Sequence, residues 1–163
     1  MLFRSILFAQ EVLQTSVFEF AVLGTAGAIG GTVAGFIAPK VIKRIGSGLS
    51  LSIALATIPI VHLLIGLSSA WILVWFLTFL LTSMAVLWNV VTVTFRQSVV
   101  PSELLGRVNS VYRFFGWGSI PIGALVGGLV VTITSKYLDR ELALRAPYFL
   151  AVLFGFLALL FAL

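Results

Sequence analysis

Long apolar runs, separated by short segments that hold most of the charge, dominate this sequence. Most of the runs reach the roughly 20 residues that an α-helix needs to cross a bilayer. Hydrophobic residues make up 61% of the 163 residues and charged residues only 9%, and the mean hydropathy is +1.20. A soluble domain of this size could not bury so much apolar surface. The sequence therefore predicts an all-α integral membrane protein with one membrane domain over 1–163.

The apolar runs set the limits of five predicted transmembrane helices. These are 17–41, 49–67, 71–95, 107–135 and 145–163, and the fourth begins near Ser102 or near Arg107. Residues 1–16 are interpreted as the end of a truncated helix, with an interfacial helix as the alternative, because their apolar stretch is too short to cross a membrane. The last run also falls short of a hydrocarbon core of ~30 Å, so we expect a chain clipped at both ends.

Basic residues concentrate on one side of the predicted membrane domain. The connections at 40–44 and 96–107 hold five Lys or Arg, whereas the 136–145 loop on the opposite side holds three. The positive-inside rule places the more basic side in the cytoplasm. The net charge of +5 is therefore attributed to topology and to lipid headgroups, and we expect no nucleic-acid partner.

One face of the predicted helix 71–95 stays polar through the depth of the membrane. At 100° per residue its members fall within an arc of about 80°; they are Thr78, Thr82, Asn89, Thr92 and Arg96. A threonine can bond back to its own helix, whereas the amide of Asn89 needs a partner or water. Two interpretations stay open, a water-accessible lumen and hydrogen bonding between helices, and we favour the lumen.

Glycines recur at helical spacing along the first and fourth predicted helices. In lipid, such small residues let a neighbouring helix approach closely. The glycines expected to pack helices are Gly24, Gly27, Gly31, Gly35, Gly116, Gly123 and Gly127. The two helices occupy corresponding positions in two three-helix groups of opposite direction, a pattern typical of the inverted repeats of secondary transporters.

Ionisable residues inside the apolar runs are few, and they argue against an enzyme. Two interpretations of Arg113 stay open. It acts at a cytoplasmic gate or binds an anionic group, or its side chain extends so that the charge reaches the membrane surface. His62 is either a proton relay or a packed histidine, and the second is favoured because its helix carries no acidic partner. With one histidine, one aspartate (Asp139) and no cysteine, we expect no catalytic pair, no metal site and no cofactor.

Two adjoining stretches resemble a known transporter family. Residues 100–113 (Val-Pro-Ser-Glu-Leu-Leu-Gly-Arg-Val-Asn-Ser-Val-Tyr-Arg) and 116–124 (Gly-Trp-Gly-Ser-Ile-Pro-Ile-Gly-Ala) resemble the loop and eleventh helix of major facilitator superfamily exporters. The branch is that of bacterial drug and siderophore exporters, such as macrolide efflux and enterobactin export proteins. Residues 8–13 resemble the end of helix seven in that family, and 35–46 resemble the end of helix eight with its basic turn.

The resemblance covers nearly the whole chain but only the second half of a transporter of about twelve helices. Pro39-Lys40 departs from the family pattern, because many facilitators carry an acidic and a basic residue there. The resemblance implies a C-terminal six-helix bundle in the bacterial cytoplasmic membrane, multi-pass, that exports small amphipathic molecules by proton-coupled alternating access. The alternative is a non-transporting membrane scaffold or a non-functional truncated gene product.

The resemblance also implies roles for particular residues and partners. The helix at 71–95 would line the substrate cavity, with Thr78, Thr82, Trp88, Asn89, Thr92 and Phe95 facing the substrate. The cytoplasmic gate would contain Lys40, Lys43, Arg44, Arg96, Glu103, Arg107 and Arg113. The implied partners are the lipid bilayer, a small-molecule substrate, and either a missing N-terminal transporter half or a second copy. A proton-carrying carboxylate would belong to that missing half.

Overall fold

Five long helices make up most of the protein. The structure is a computed structural model and describes residues 6–162. After a π-helical turn, Phe8–Val12, the α-helices are α1 (Val17–Ile45), α2 (Ser47–Leu67), α3 (Trp71–Val99), α4 (Ser102–Thr134) and α5 (Arg140–Ala162). All five α-helices are long and apolar enough to cross a membrane. The predicted all-α class with five potential spans is confirmed, and the structure supports a multi-pass membrane protein in contact with a lipid bilayer.

The helices continue into polar segments that apolar length alone had left outside the predicted spans. Helix α1 has 29 residues and therefore extends over about 43 Å, which exceeds a hydrocarbon core of ~30 Å. Its last turn holds the basic residues that the sequence had assigned to a turn, and α4 begins at Ser102 rather than Arg107. Apolar composition marks the part of a helix that meets lipid, whereas backbone hydrogen bonds carry the helix further into water.

Helix α1 has well-defined stops at both ends. Ser16 and Glu19 form a capping box: Ser16 N–H donates to Glu19 Oε2 at 2.7 Å, and Glu19 N–H donates to Ser16 Oγ at 3.3 Å. The other end is Gly46, whose φ of 82° and ψ of 162° lie in a region that only glycine adopts readily. This single residue also precedes α2, so the reversal between α1 and α2 depends on it.

Helices α1 and α3 approach each other through small side chains. The buried residues of α1 recur every four positions, at Ala26, Gly30, Ala34 and Ala38. A Cβ atom at Gly30 would overlap the carbonyl oxygen of Phe79, and Ser83 Oγ donates a hydrogen bond to the Gly30 carbonyl at 3.1 Å. The two backbones are thus close enough for a side chain of α3 to bond the main chain of α1, as small residues permit in membrane helices.

The four glycines that spacing selected on α1 include two that lie beside this face. A Cβ at Gly27 or Gly31 would come 3.6 or 3.7 Å from atoms of Thr82, while Gly24 and Gly35 have nothing within 4 Å of that point. The closest approach is made by Gly30, which the glycine pattern did not select. Alanine contributes to close packing as well as glycine does, so a pattern of glycines alone identifies only part of the packed face. The structure therefore gives no packing partner to Gly24 or Gly35 within its described residues.

Arg145 joins three segments at the end of the bundle opposite the basic connections. Its residue is only 6% exposed. Its guanidinium donates hydrogen bonds to the carbonyls of Gly66 and Ser68, to the Ser69 hydroxyl and to the Glu141 carboxylate. The guanidinium carbon also lies 6.0 Å from the centre of the Phe8 ring. Arg145 thereby fixes the turn between α2 and α3 against the start of α5 and the π-helical turn.

The π-helical turn has a second, weaker connection to α5. The carboxylate of Glu11 accepts two hydrogen bonds from Arg140, at 2.8 and 3.0 Å. These hydrogen bonds hold the pKa of Glu11 below its usual value, so the interaction is present at neutral pH and is lost as the pH falls through that lowered pKa. Because both side chains are exposed, the pair contributes little to stability. Residues 1–5 lie outside the described residues, and the interpretation of 1–16 as a truncated helix stays a prediction.

Helix α4 has the least packing of the five. Gly127 is its one buried residue, and residues 111–123 are all exposed. Its later part contacts the main apolar core through Val131, whereas its first half faces α3 across a groove. The structure therefore consists of a packed group formed by α1, α2, α3 and α5, with α4 attached at one end.

We expect Gly30→Ala to weaken the contact between α1 and α3. The added methyl group must displace the Phe79 carbonyl, and overpacking of this kind costs about 1–3 kcal/mol. The matched control is Gly24→Ala, where the added methyl group meets no other atom within 4 Å. The free energy of unfolding, measured by circular dichroism during a denaturing detergent titration, should fall in the first variant only. Equal stabilities of the two variants would contradict this packing.

A second prediction concerns Arg145. Replacing it in Arg145→Met leaves the carbonyls of Gly66 and Ser68 without their buried donor, so we expect a loss of about 2–4 kcal/mol in the same unfolding measurement. Arg140→Met removes an exposed arginine of the same helix, and its expected cost is at most about 1 kcal/mol. The role assigned to Arg145 is wrong if both variants unfold at the same detergent fraction.

Candidate functional site

A cavity of about 560 Å³ lies between the second half of α3 and the first half of α4. Its polar lining consists of Asn89 and Arg96 from α3, with Asn109 and Arg113 from α4. The volume is within the roughly 300–1,000 Å³ typical of small-molecule sites. Polar side chains of this kind are costly in a membrane and mark functional positions.

Three aromatic rings complete the wall of this larger cavity. Trp88 comes from α3, and Tyr112 and Trp117 come from α4. The guanidinium carbon of Arg96 lies 3.7 Å from the centre of the Tyr112 ring, and that of Arg113 lies 5.8 Å from the Trp117 ring. Both cations therefore rest on aromatic faces, which attract positive charge.

A smaller cavity of about 520 Å³ adjoins the first on the other side of Arg96 and Tyr112, which line both. Leu51, Val91 and Phe95 give it a largely apolar wall. The stacked pair of Arg96 and Tyr112 thus belongs to the walls of both cavities.

Arg96 keeps hydrogen-bonding capacity that the described residues do not use. Its Nε donates to the Thr92 carbonyl of its own helix at 3.2 Å. Its Nη1 is buried and has no hydrogen-bond partner among residues 6–162. A buried cationic nitrogen without an acceptor costs free energy. The hydrogen bond to Thr92 and the Tyr112 ring therefore hold the guanidinium in place, but its hydrogen-bonding capacity is not fully used.

No acidic side chain lines either cavity within the described part of the chain. The ion pairs formed there are Arg140 with Glu11 and Arg145 with Glu141, all at the opposite end of the bundle. The groove is thus a concentration of positive charge without an internal counter-ion.

The structure brings together part of the predicted substrate-cavity set. Trp88 and Asn89 line the larger cavity, and Thr92 and Phe95 line the smaller one. Thr92 Oγ1 donates to the Trp88 carbonyl at 3.0 Å, so this hydroxyl bonds to its own helix. The side chain of Asn89 is exposed to the cavity, a position that suits the lumen interpretation.

The two remaining threonines of the predicted polar face lie away from both cavities. Thr82 contacts α1 beside Gly27 and Gly31, and its hydroxyl donates to the Thr78 carbonyl at 2.9 Å. Thr78 and Thr82 are both half-buried. The predicted polar face is therefore divided along its length, with helix packing at one end and the cavities at the other.

The predicted gate residues are also divided. Arg96 and Arg113 line the larger cavity, as does the predicted packing residue Gly116. The other predicted gate residues are exposed and line neither cavity; they are Lys40, Lys43, Arg44, Glu103 and Arg107. Glu103 and Arg107 form no ion pair with each other in the described chain, although their spacing permits one.

Sequence reasoning missed Asn109, Tyr112 and Trp117. Together with Arg113 and Gly116 they recur every three or four positions, which places them on one face of a helix. The periodicity of this segment was the signal that could have identified them.

The other chemistry-bearing residues do not join the groove. His62 Nδ1 lies 2.8 Å from the Ile58 carbonyl of its own helix, in keeping with a packed histidine. The described residues contain no group of three or more His, Cys, Asp or Glu that could hold a metal ion.

No protein-family model, no curated protein and no solved structure matches the chain. The comparisons therefore assign no family, and the resemblance to the major facilitators stays an expectation from the sequence.

We expect the groove side of α3 to be accessible to water. The protein has no native cysteine, so single-cysteine variants report one position each. Asn89→Cys should react with a membrane-impermeant maleimide in proteoliposomes, because its side chain lines the cavity. Leu80→Cys is the matched control. Leu80 is about as far from one end of α3 as Asn89 is from the other, and it lies on the opposite side of the helix. Equal reactivity at the two positions would rule out a water-accessible groove.

Proposed function

We propose that this chain is one half of a secondary transporter that exports small amphipathic molecules across the bacterial cytoplasmic membrane. Export would proceed by alternating access and be coupled to protons, and the groove between α3 and α4 would form part of the substrate path. The observation that carries the proposal is the polar and aromatic cavity of about 560 Å³ between two potential membrane-spanning helices.

The composition of the groove supports an amphipathic substrate. Asn89 and Asn109 supply hydrogen-bonding groups, and Trp88 and Trp117 supply broad apolar surfaces. Ligand sites commonly combine such apolar walls with a few polar groups that orient the ligand. In transporters, these sites lie between helices of the two halves, near the middle of the bilayer.

The exposed surface of α4 supports a partner in the membrane. Residues 111–123 are exposed throughout, and this segment includes part of the cavity wall. A missing N-terminal half, or a second copy of the chain, would cover this surface and close the pathway.

The competing function is a non-transporting membrane scaffold. The same exposed face of α4 supports it, because an apolar helix surface with small residues can bind another membrane helix without forming a pathway. The two functions differ in whether the polar groups of the groove matter.

Export measurements separate the two functions. The chain is expressed alone and together with the coding sequence upstream of it, and the extrusion of fluorescent amphiphiles of negative, zero and positive charge is followed. We expect extrusion that stops when the proton gradient is collapsed. Asn89→Leu and Arg96→Ala should each reduce it about tenfold, the effect of losing one hydrogen bond to substrate.

Lys136→Ala is the control for these variants, because Lys136 is exposed, lines neither cavity and lies outside the predicted gate. Protein abundance in the membrane is measured for every variant. If Asn89→Leu and Arg96→Ala export at the wild-type rate, the groove is not the pathway. If the wild-type protein exports none of the amphiphiles in either arrangement, the scaffold function is favoured.

A further inference from the structure

Two cations share the groove with no carboxylate to neutralise them. Arg96 and Arg113 both line the larger cavity, and no acidic residue of the described chain lines it. The like charges of the two guanidinium groups repel each other, and the buried Nη1 of Arg96 has lost hydration without gaining an acceptor. An arrangement of this kind is stabilised by an anion that comes from outside the chain.

We infer that the groove binds an anionic amphiphile, whose carboxylate or phosphate group is held by Arg96 and Arg113 and whose hydrophobic body extends into the smaller, apolar cavity beside Arg96. As a substrate class this rests on the proposed function, although the binding itself can be measured without transport.

The hydrogen bonding of Arg96 supports the acidic end of this ligand. Tyr112 covers the face of the guanidinium at 3.7 Å, and the Thr92 carbonyl accepts from Nε. A ring face accepts no conventional hydrogen bond from the in-plane N–H groups. Nη1 is enclosed by the chain and has no acceptor among residues 6–162, so an acid group would reach it through a small movement of the Arg96 side chain. Carboxylates and phosphates bind the edge of a guanidinium through paired hydrogen bonds. Stacking therefore orients Arg96 while leaving part of its edge unused.

The position of Arg96 between the two cavities supports the apolar end. The smaller cavity, about 520 Å³, has Leu51, Val91 and Phe95 in its wall and adjoins the guanidinium directly. A molecule with its acid group at Arg96 can therefore place an aliphatic or aromatic body against these side chains. Burial of that body contributes affinity without charge.

The same geometry selects against other amphiphiles. A cationic head in the larger cavity would meet two arginines and no acidic side chain, so it would be repelled. A neutral head would leave the arginines as they are. Discrimination by charge then follows from the absence of acidic residues in the described wall as much as from the presence of the two arginines.

Three probes with one aromatic body test this preference. Pyrenebutyrate, pyrenebutanol and pyrenebutyltrimethylammonium differ mainly in the charge of the head group. The purified chain is placed in nanodiscs of zwitterionic phosphatidylcholine, and binding is measured by energy transfer from tryptophan to pyrene. Trp88 and Trp117 line the cavity and act as the local donors.

We expect pyrenebutyrate to bind at least about tenfold more tightly than pyrenebutanol, the factor provided by one charge-assisted hydrogen bond of roughly 1.5 kcal/mol. The cationic probe should bind most weakly. The preference should disappear in the double variant Arg96→Gln, Arg113→Gln. It should persist in Arg107→Gln, which removes an exposed arginine of the same helix that lines neither cavity.

The single variant Arg113→Gln is the control for a folding defect, because this exposed side chain can be changed with little effect on packing. We expect it to reduce the preference for pyrenebutyrate severalfold, while the circular dichroism spectrum stays unchanged. The inference is overturned if the three probes bind equally to the wild-type protein. It is also overturned if the preference for the anion survives in both the double variant and Arg113→Gln.

A further arm identifies the source of the anion. Replacing part of the phosphatidylcholine by phosphatidylglycerol should displace pyrenebutyrate from the wild-type protein, beyond any change seen in the double variant, if a lipid supplies the acid group. No such displacement assigns the site to an amphipathic solute. If the anion preference holds while the export assay detects no transport, the proposed function fails and the binding site stands.

Discussion

A polar group that enters hydrocarbon must find its partner inside the protein or meet water or a ligand there. Most of this chain obeys the first option. The Ser83 hydroxyl bonds the backbone of α1, the indole N–H of Trp75 donates to the Val22 carbonyl at 3.0 Å, and the buried guanidinium of Arg145 is fully engaged by carbonyls, a hydroxyl and a carboxylate. We propose that the groove between α3 and α4 follows the second option. Arg96 there is oriented but not satisfied, and this difference from Arg145 is the reason we propose a binding role for Arg96 and a structural role for Arg145.

Packing is distributed in the same uneven way. The main apolar core, with Phe8, Val61 and Leu77 among its members, lies at the end of the bundle that contains Arg145. Close backbone approach at Gly30 then holds α1 against α3. Helix α4 contributes little to either contact, and its residues 111–123 are all exposed. A packed group of helices beside a weakly attached one would permit the groove to change width, as the proposed alternating access requires.

The sequence was sufficient for the class and the number of helices, because the length of an apolar run is itself the physical requirement for crossing a bilayer. It also identified Asn89, Arg96 and Arg113, since polar side chains stand out in apolar helices. It could not identify Gly30, because the contact depends on the angle at which α1 meets α3, and alanines share in it. Arg145 was interpreted only as a charge that sets the membrane topology, although Glu141 one turn earlier indicated that the two side chains could form an ion pair. The partners of the groove on α4 were missed because that segment was interpreted through its family resemblance instead of its helical periodicity.

The central claim is that α3 has one polar, solvent-accessible side between Ala85 and Arg96, facing α4. Nitroxide labels placed at each position of this segment, with accessibility to a water-soluble nickel complex measured by electron paramagnetic resonance in bilayers, test it most directly. The account predicts accessibility that oscillates with a period of about 3.6 residues, with maxima at Ala85, Asn89, Val93 and Arg96, the positions that line the cavity. Uniformly low accessibility to the nickel complex, with oxygen reaching every position, would contradict it.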